Sequence, residues 1–419
     1  MEKSELEEEG YVLVQKKRPH KQDVVQNTSK EYLAEIEDYI QKVATSIWHL
    51  NNFIHENPEL AFQEYKAHRA LTGYMRSRKG WHVTMNAYGM ETAWVAVYDS
   101  GKAGPVVSFN AEMAELMEAH SLAGKILLFG TPGEEGFGGG KIRLLEAGAY
   151  SGVDVSLISH PGISNNSAMV RTTAFARLEV EFFGRAAHAA RSPWAGINAL
   201  DALVIAYNSI SALRQRTMLM DVIGMSITNG GGPPNIIHPY ASGVCVIRAA
   251  SASRLEELQR SVSACFRAGA EATGAKVNIK ITPGYADHVP NSVLAASYNK
   301  YWSLLPDPPE PPIPPPGQFT WVKASTDQGN ISYAMPSVNA SFAIPPGAEG
   351  GQPHSPDFEK ASGTKGAFER ALRVAKALAG TAVDVLATPG LIDRVKEQWR
   401  RDMDSMKTAL QSTVDDENT

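Results

Sequence analysis

Cysteine is nearly absent from this chain: there are two in 419 residues, Cys245 and Cys265, and they do not lie at CxxC spacing. That scarcity excludes a disulfide framework and a thiolate-rich zinc site, and it points to a reducing cytoplasm as the expected compartment. Long apolar runs are lacking as well. Nothing approaches the roughly 18 consecutive apolar residues of a membrane span, and residues 1–22, acidic and then basic, have no apolar core of signal-peptide length. A dominant charge is also missing. The formal net charge is −5, with 40 Lys and Arg interspersed among 45 Asp and Glu, so neither nucleic acid nor an anionic membrane is an expected partner. A small-molecule partner fits this surface better.

What is present is length and apolar content: 419 residues at 43% hydrophobic are enough for two domains of ordinary size. Residues 1–28 read as a flexible tail and 406–419 as a polar C-terminal tail. Apolar residues at helical spacing (Leu33, Ile36, Ile40, Val43, Ile47, Leu50) predict a helix from Glu31 to about Asn57, ended by Pro58, and a second covers about Glu64 to Arg78. Short apolar runs at Thr92–Tyr98, Pro105–Phe109, Lys125–Gly130 and Val155–Ser159 alternate with helical stretches such as Lys141–Ala147. This is the pattern of a largely parallel sheet with helices on both faces. Between about 172 and 283 the order becomes β-α-β-β-α-β, the ferredoxin-like plan, and reads as an insertion. Residues 29–171 and 284–405 then form the remaining domain, with a proline-rich surface loop at 306–316 and a long helix at about Phe358–Leu378. No internal repeat is found.

Polar motifs sit at the ends of the expected strands, where parallel sheets form their crevices. Thr131-Pro132-Gly133-Glu134-Glu135-Gly136 follows one strand. Adjacent carboxylates there can divide labour, one taking a proton from an attacking water while the other ligates a metal; on its own the pair reads equally as a solvated acidic turn. His160 follows the strand ending Ile158-Ser159, and His354 lies in a glycine-proline loop before the C-terminal helix. Each is a candidate imidazole ligand and each, alone, is more often a hydrogen-bonded loop histidine. In the insertion, His188 sits among small residues where it could donate to a developing oxyanion. Asn235 and Arg248 flank its hairpin, and the arginine fork suits a substrate carboxylate unless it merely pairs at the surface.

Taken together, these pieces resemble the M20 metallopeptidase and aminoacylase family, in particular its amidohydrolase and dipeptidase-like branch. The resemblance runs from about Tyr32 to Met403. It rests on Ile54 to Leu60, Pro132 to Lys141, Ser159-His160-Pro161, Gly184 to Pro193 with Gly196 to Asp201, Asn235-Ile236-Ile237 with Arg248-Ala249, Ser325 to Asn330, and His354-Ser355-Pro356. It implies a zinc-exopeptidase-like, mostly parallel sheet sandwiched by helices, with the ferredoxin-like insertion as lid and homodimer interface. By the same resemblance Glu134 is the general base, Glu135, His160 and His354 are zinc ligands, and His188 and Asn235 serve the oxyanion or substrate. A small N-acyl amino acid or dipeptide is the implied substrate, with Arg248 the candidate for holding its carboxylate.

The chain departs from that family at one place. Members of this branch carry an Asp-Ala-Leu-Pro segment and then Cys-Gly-His-Asn after the strand equivalent to Val106–Phe109, whereas here Asn110-Ala111-Glu112-Met113 passes directly into Ala114 to His120. A thiolate and an imidazole ligand are therefore missing. Glu112, Glu115 and Glu118 are possible substitutes but fit a solvated helix face better. One zinc is the expected complement, with impaired hydrolysis, and a non-catalytic dimeric binding or regulatory protein is the alternative reading.

Overall fold

In the computed structural model, residues 21–108, 114–135, 138–282, 284–315 and 317–417 are described. The first body of the fold is a six-stranded sheet of β1 (Trp81–Met85), β2 (Trp94–Asp99), β3 (Val106–Ser108), β4 (Lys125–Gly130), β5 (Val155–Gly162) and β14 (Ser337–Ala343), in the order β1-β2-β4-β3-β5-β14. Strands β4, β3, β5 and β14 are mutually parallel, and β2 joins them antiparallel. The parallel strands bury both faces, as helices on either side require: in β14 Ser337 to Ala340 are all buried. Those helices are α1 (Lys21–Glu56), α2 (Tyr65–Arg76), α3 (Ala114–Ala119), α4 (Gly140–Glu146), α7 (Ser292–Leu304), α8 (Gln328–Ala334), α9 (Pro356–Ser362), α10 (Lys365–Ala387) and α11 (Leu391–Glu417). The mostly parallel, helix-sandwiched sheet is as the sequence implies.

The second body spans β7 (Ala174–Phe183), α5 (Ala199–Leu213), β9 (Val222–Asn229), β11 (Tyr240–Ala249), α6 (Ala252–Thr273) and β12 (Lys276–Thr282). It forms an antiparallel sheet in the order β12-β7-β11-β9. Strand β11 alternates buried and half-buried residues along its whole length, because only one face is covered, by α5 and α6. Asn198 and Ser251 cap these two helices by accepting from Leu200 N and Arg254 N. Two small ladders complete the molecule: β8 (Ala187–His188) with β10 (Ile236–Ile237), and β6 (Val170–Arg171) with β13 (Thr320–Trp321).

Several expectations need correction. Residues 21–28 and 406–417, read as tails, continue α1 and α11 as helical backbone. The long helix expected at Phe358–Leu378 is two helices, α9 and α10. They break at Gly363, where a Cβ would lie 2.4 Å from the His55 ring, and Thr364 caps α10 by accepting from Ala367 N. Strand β1 carried no signal in the sequence reading. Asn110 to Met113, the point of departure, lies outside the described residues. On either side of it β3 and β4 remain paired in parallel, Val106 opposite Lys125 and Ser108 opposite Leu127. The shortened crossover through α3 therefore leaves the sheet order intact.

Candidate active site

At the carboxyl ends of β4, β5 and β14 lies a cavity of about 520 Å³ lined by Glu134, Glu135, His160, Asn339, Ser341, His354 and the strip from Val322 to Thr326. Stretches of chain far apart in sequence meet there. The Glu134-Glu135 loop is pinned at three points: Gly133 N donates to Glu64 Oε1 (2.8 Å), the Tyr285 hydroxyl donates to Glu134 O (2.6 Å), and Lys141 N donates to Asp327 Oδ2 (2.9 Å). Glycine is required at two positions of this loop. Gly133 has φ +64°, and a Cβ on Gly140 would sit 1.7 Å from Pro132 O. Of the loop's anchors, Glu64 and Tyr285 escaped the sequence reading, since an isolated Glu or Tyr far away in sequence carries no pattern.

Glu134 is partly buried. Burial foremost, and then the Asp327 carboxylate, raise its pKa above the usual carboxylate range, with Lys141 pulling the other way. Lys141 and Asp327 form a buried ion pair directly behind it, Nζ to Oδ1 2.7 Å. Glu135 points outward, its side chain three-quarters exposed, as is that of His354, and their nearest polar atoms are 3.7 Å apart. His354 itself sits at φ +72°.

His160 is not in a loop after its strand but inside β5, opposite Ser341 of β14. Its Nδ1 donates to Asn339 Oδ1 at 2.7 Å, which leaves Nε2 as the nitrogen with a free lone pair. The sequence reading overlooked Asn339, because a single Asn within an apolar strand has no spacing signature.

The donor types Glu135, His160 and His354 suit one divalent ion with an open position. Among the described residues, however, no three His, Cys, Asp or Glu side chains stand gathered as a ready metal site, and none supplies a second set. Cys245 is buried among the lid's apolar residues, and its thiol is pushed up to about 12 by that burial. Among the described residues, those that line the cavity fit a single ion in kind, and no second set of donors lines it.

The lid candidates lie apart from this cavity. His188 and Asn235 are brought together: Ile236 pairs with His188, and Ala189 N donates to Asn235 O at 3.0 Å. The His188 Nδ1 accepts from Ala190 N and Arg191 N at 3.2 and 3.3 Å, so Nε2 carries the proton and faces outward as a donor. Neither residue lines the cavity of its own chain. Arg248 donates from Nη1 to Ser325 Oγ (2.6 Å) and stacks on Phe175; it too stands behind the wall rather than in it.

The chain is similar to several known proteins. Residues 171–274 match the family described as Peptidase dimerisation domain. The mouse Xaa-Arg dipeptidase is 33% identical over 398 residues, covering 86% of this chain and 90% of the relative. One component of the p-aminobenzoyl-glutamate hydrolase of Escherichia coli is 25% identical over 296 residues, covering 60% of this chain and 59% of the relative. Among solved structures, a Bacillus subtilis protein described as a dinuclear metal binding peptidase of the M20 family superposes with a TM-score of 0.60 at 15% identity, covering 86% of this chain and 99% of that one.

Proposed function

Because the chain belongs to the M20 peptidase family, we propose that it hydrolyses an amide or peptide bond beside a free carboxylate in a small N-acyl amino acid or dipeptide. The observation that carries this reading is the meeting of Glu134, Glu135, His160 and His354 on one cavity. Glu134 takes the proton of the attacking water and returns it to the leaving amine. Burial raises its pKa above the usual carboxylate range, the direction that helps it hold the transferred proton. Glu135, His160 and His354 are the side chains that would hold a zinc ion, which when bound supplies Lewis-acid polarisation of the carbonyl. His188 Nε2–H is a donor suited to the developing oxyanion.

Since His188 and Asn235 do not line the cavity of their own chain, we place them over the cavity of a second copy, in a homodimer formed through the lid. Exposed apolar side chains on the lid support this: Val222 and Ile227 on the edge strand β9, and Val204 and Tyr207 on α5. The scarcity of cysteine favours the cytoplasm as the compartment.

A second reading, a dimeric binding protein without turnover, is favoured by the one observation that no ligand set is gathered among the described residues. Hydrolysis of a panel of N-acetyl amino acids and dipeptides separates the two. Turnover by the wild type that vanishes in Glu134→Gln, with the fold unchanged by circular dichroism, supports the hydrolase. Retained turnover in that variant removes Glu134 as the base, and no turnover by the wild type at any zinc concentration leaves the binding protein.

A further inference from the structure

The sequence assigns the carboxylate-holding role to Arg248, but that guanidinium is engaged by Ser325 and Phe175 behind the cavity wall. Of the described residues lining the cavity, Lys323 is the one Lys or Arg. Its backbone is held on both sides: Val322 N donates to Arg171 O and Thr173 N donates to Ala324 O, each at 2.9 Å, so the bend at Lys323, just after β13, is tied down before and after it. The side chain is exposed, and among the described residues it has no ion-pair partner. Lys141, by contrast, is neutralised by the buried Asp327.

Glu134 and Glu135 line the same cavity and repel an anionic ligand. A zinc ion held by Glu135, His160 and His354 would be engaged at the scissile carbonyl, so the free carboxylate at the other end of the substrate needs a cation of its own, and an exposed ammonium in the lining without an ion-pair partner is suited to supply it. We propose that Lys323 binds the free carboxylate of the substrate and so selects acids over their neutral esters. This proposal rests on the amidohydrolase reading and adds to it the residue that recognises the leaving amino acid.

The test uses the full-length chain with Glu134→Gln, so that ligand is not consumed, and isothermal titration calorimetry with N-acetyl-L-leucine, N-acetyl-L-arginine and the methyl ester of each. The acids should bind about 10-fold more tightly than the esters, the size of one partly exposed charge-assisted hydrogen bond. Adding Lys323→Gln should abolish that preference by weakening the acids alone, and Lys323→Arg should restore it. If the preference survives Lys323→Gln, or disappears instead with Arg248→Gln, the assignment to Lys323 is overturned while the hydrolase reading stands. If neither acid nor ester binds the protein with Lys323 intact, and the hydrolysis panel is also negative, both fall together.

Discussion

The buried pair of Lys141 and Asp327 allows the sharpest test of how the site is built, through Asp327→Ala. The carboxylate makes two bonds, accepting from Lys141 Nζ at 2.7 Å and from the Lys141 backbone N at 2.9 Å, and its side chain is fully buried, with that of Lys141 8% exposed. At 2.7 Å and an effective dielectric near 20 the Coulomb attraction is about 6 kcal/mol, much of it offset by the desolvation of both charges. Deleting Asp327 leaves the ammonium buried without compensation and the Lys141 amide, in the first turn of α4, without its acceptor. Such a one-sided break costs about 3–5 kcal/mol. Urea unfolding followed by tryptophan fluorescence should show a loss of that size. The double variant Lys141→Met with Asp327→Leu, which leaves no buried charge, should recover most of it. Because α4 follows the Glu134-Glu135 loop directly, Asp327→Ala should also depress any turnover more than the double variant does. A loss below about 1 kcal/mol, or a double variant as unstable as the sum of the single ones, would refute the reasoning.

Three further outcomes are expected. His288 is completely buried, its Nδ1 donating to Val170 O, and burial pushes its pKa down to about 4 from 6.5. The folded state therefore disfavours the charged ring: its full contribution is present above pH 6.5 and is lost as pH falls towards 4. That loss is about 3 kcal/mol, and His288→Gln should flatten this part of a urea-midpoint profile taken between about pH 7 and pH 4.5; an unchanged slope would show that another group dominates. Protein purified without chelator should contain at most one divalent ion per protomer by elemental analysis, falling with His354→Ala. A family-like insertion carrying Asp, Cys and His after Met113 should raise the count to two, and two tightly held ions in the unaltered chain would contradict the ligand assignment. Sedimentation should give a dimer at micromolar concentration that Tyr207→Glu with Ile227→Lys converts to monomer; a wild-type monomer would remove the lid-mediated assembly.

The local pattern of the sequence determined the alternation of strands and helices, because period-2 and period-3.6 hydrophobicity are local properties. It likewise determined the β-α-β-β-α-β insertion, whereas the need for glycine at Gly133 and Gly140 shows only in the folded chain, in a positive φ at one and a close backbone approach at the other. The motifs around Glu134, His160 and His354 could be found one by one, yet each was ambiguous alone. Their convergence on one cavity from widely separated positions follows from the parallel pairing of β4 with β3, β3 with β5 and β5 with β14, long-range contacts that no window of sequence contains.

Only the tertiary structure decided which polar residues face that cavity. It put His160 inside a strand with Asn339 fixing its ring, because the two stand on one face of adjoining parallel strands, two residues apart in register. It turned Arg248 towards Ser325 and left Lys323 on the wall, since the strip beside β6 is held by backbone bonds whose partners lie about 150 residues away. The separation of His188 from the cavity of its own chain has the same origin. The lid is a second sheet with its own core, so where its polar patch acts is set by packing between bodies, and not by the order of residues along the chain.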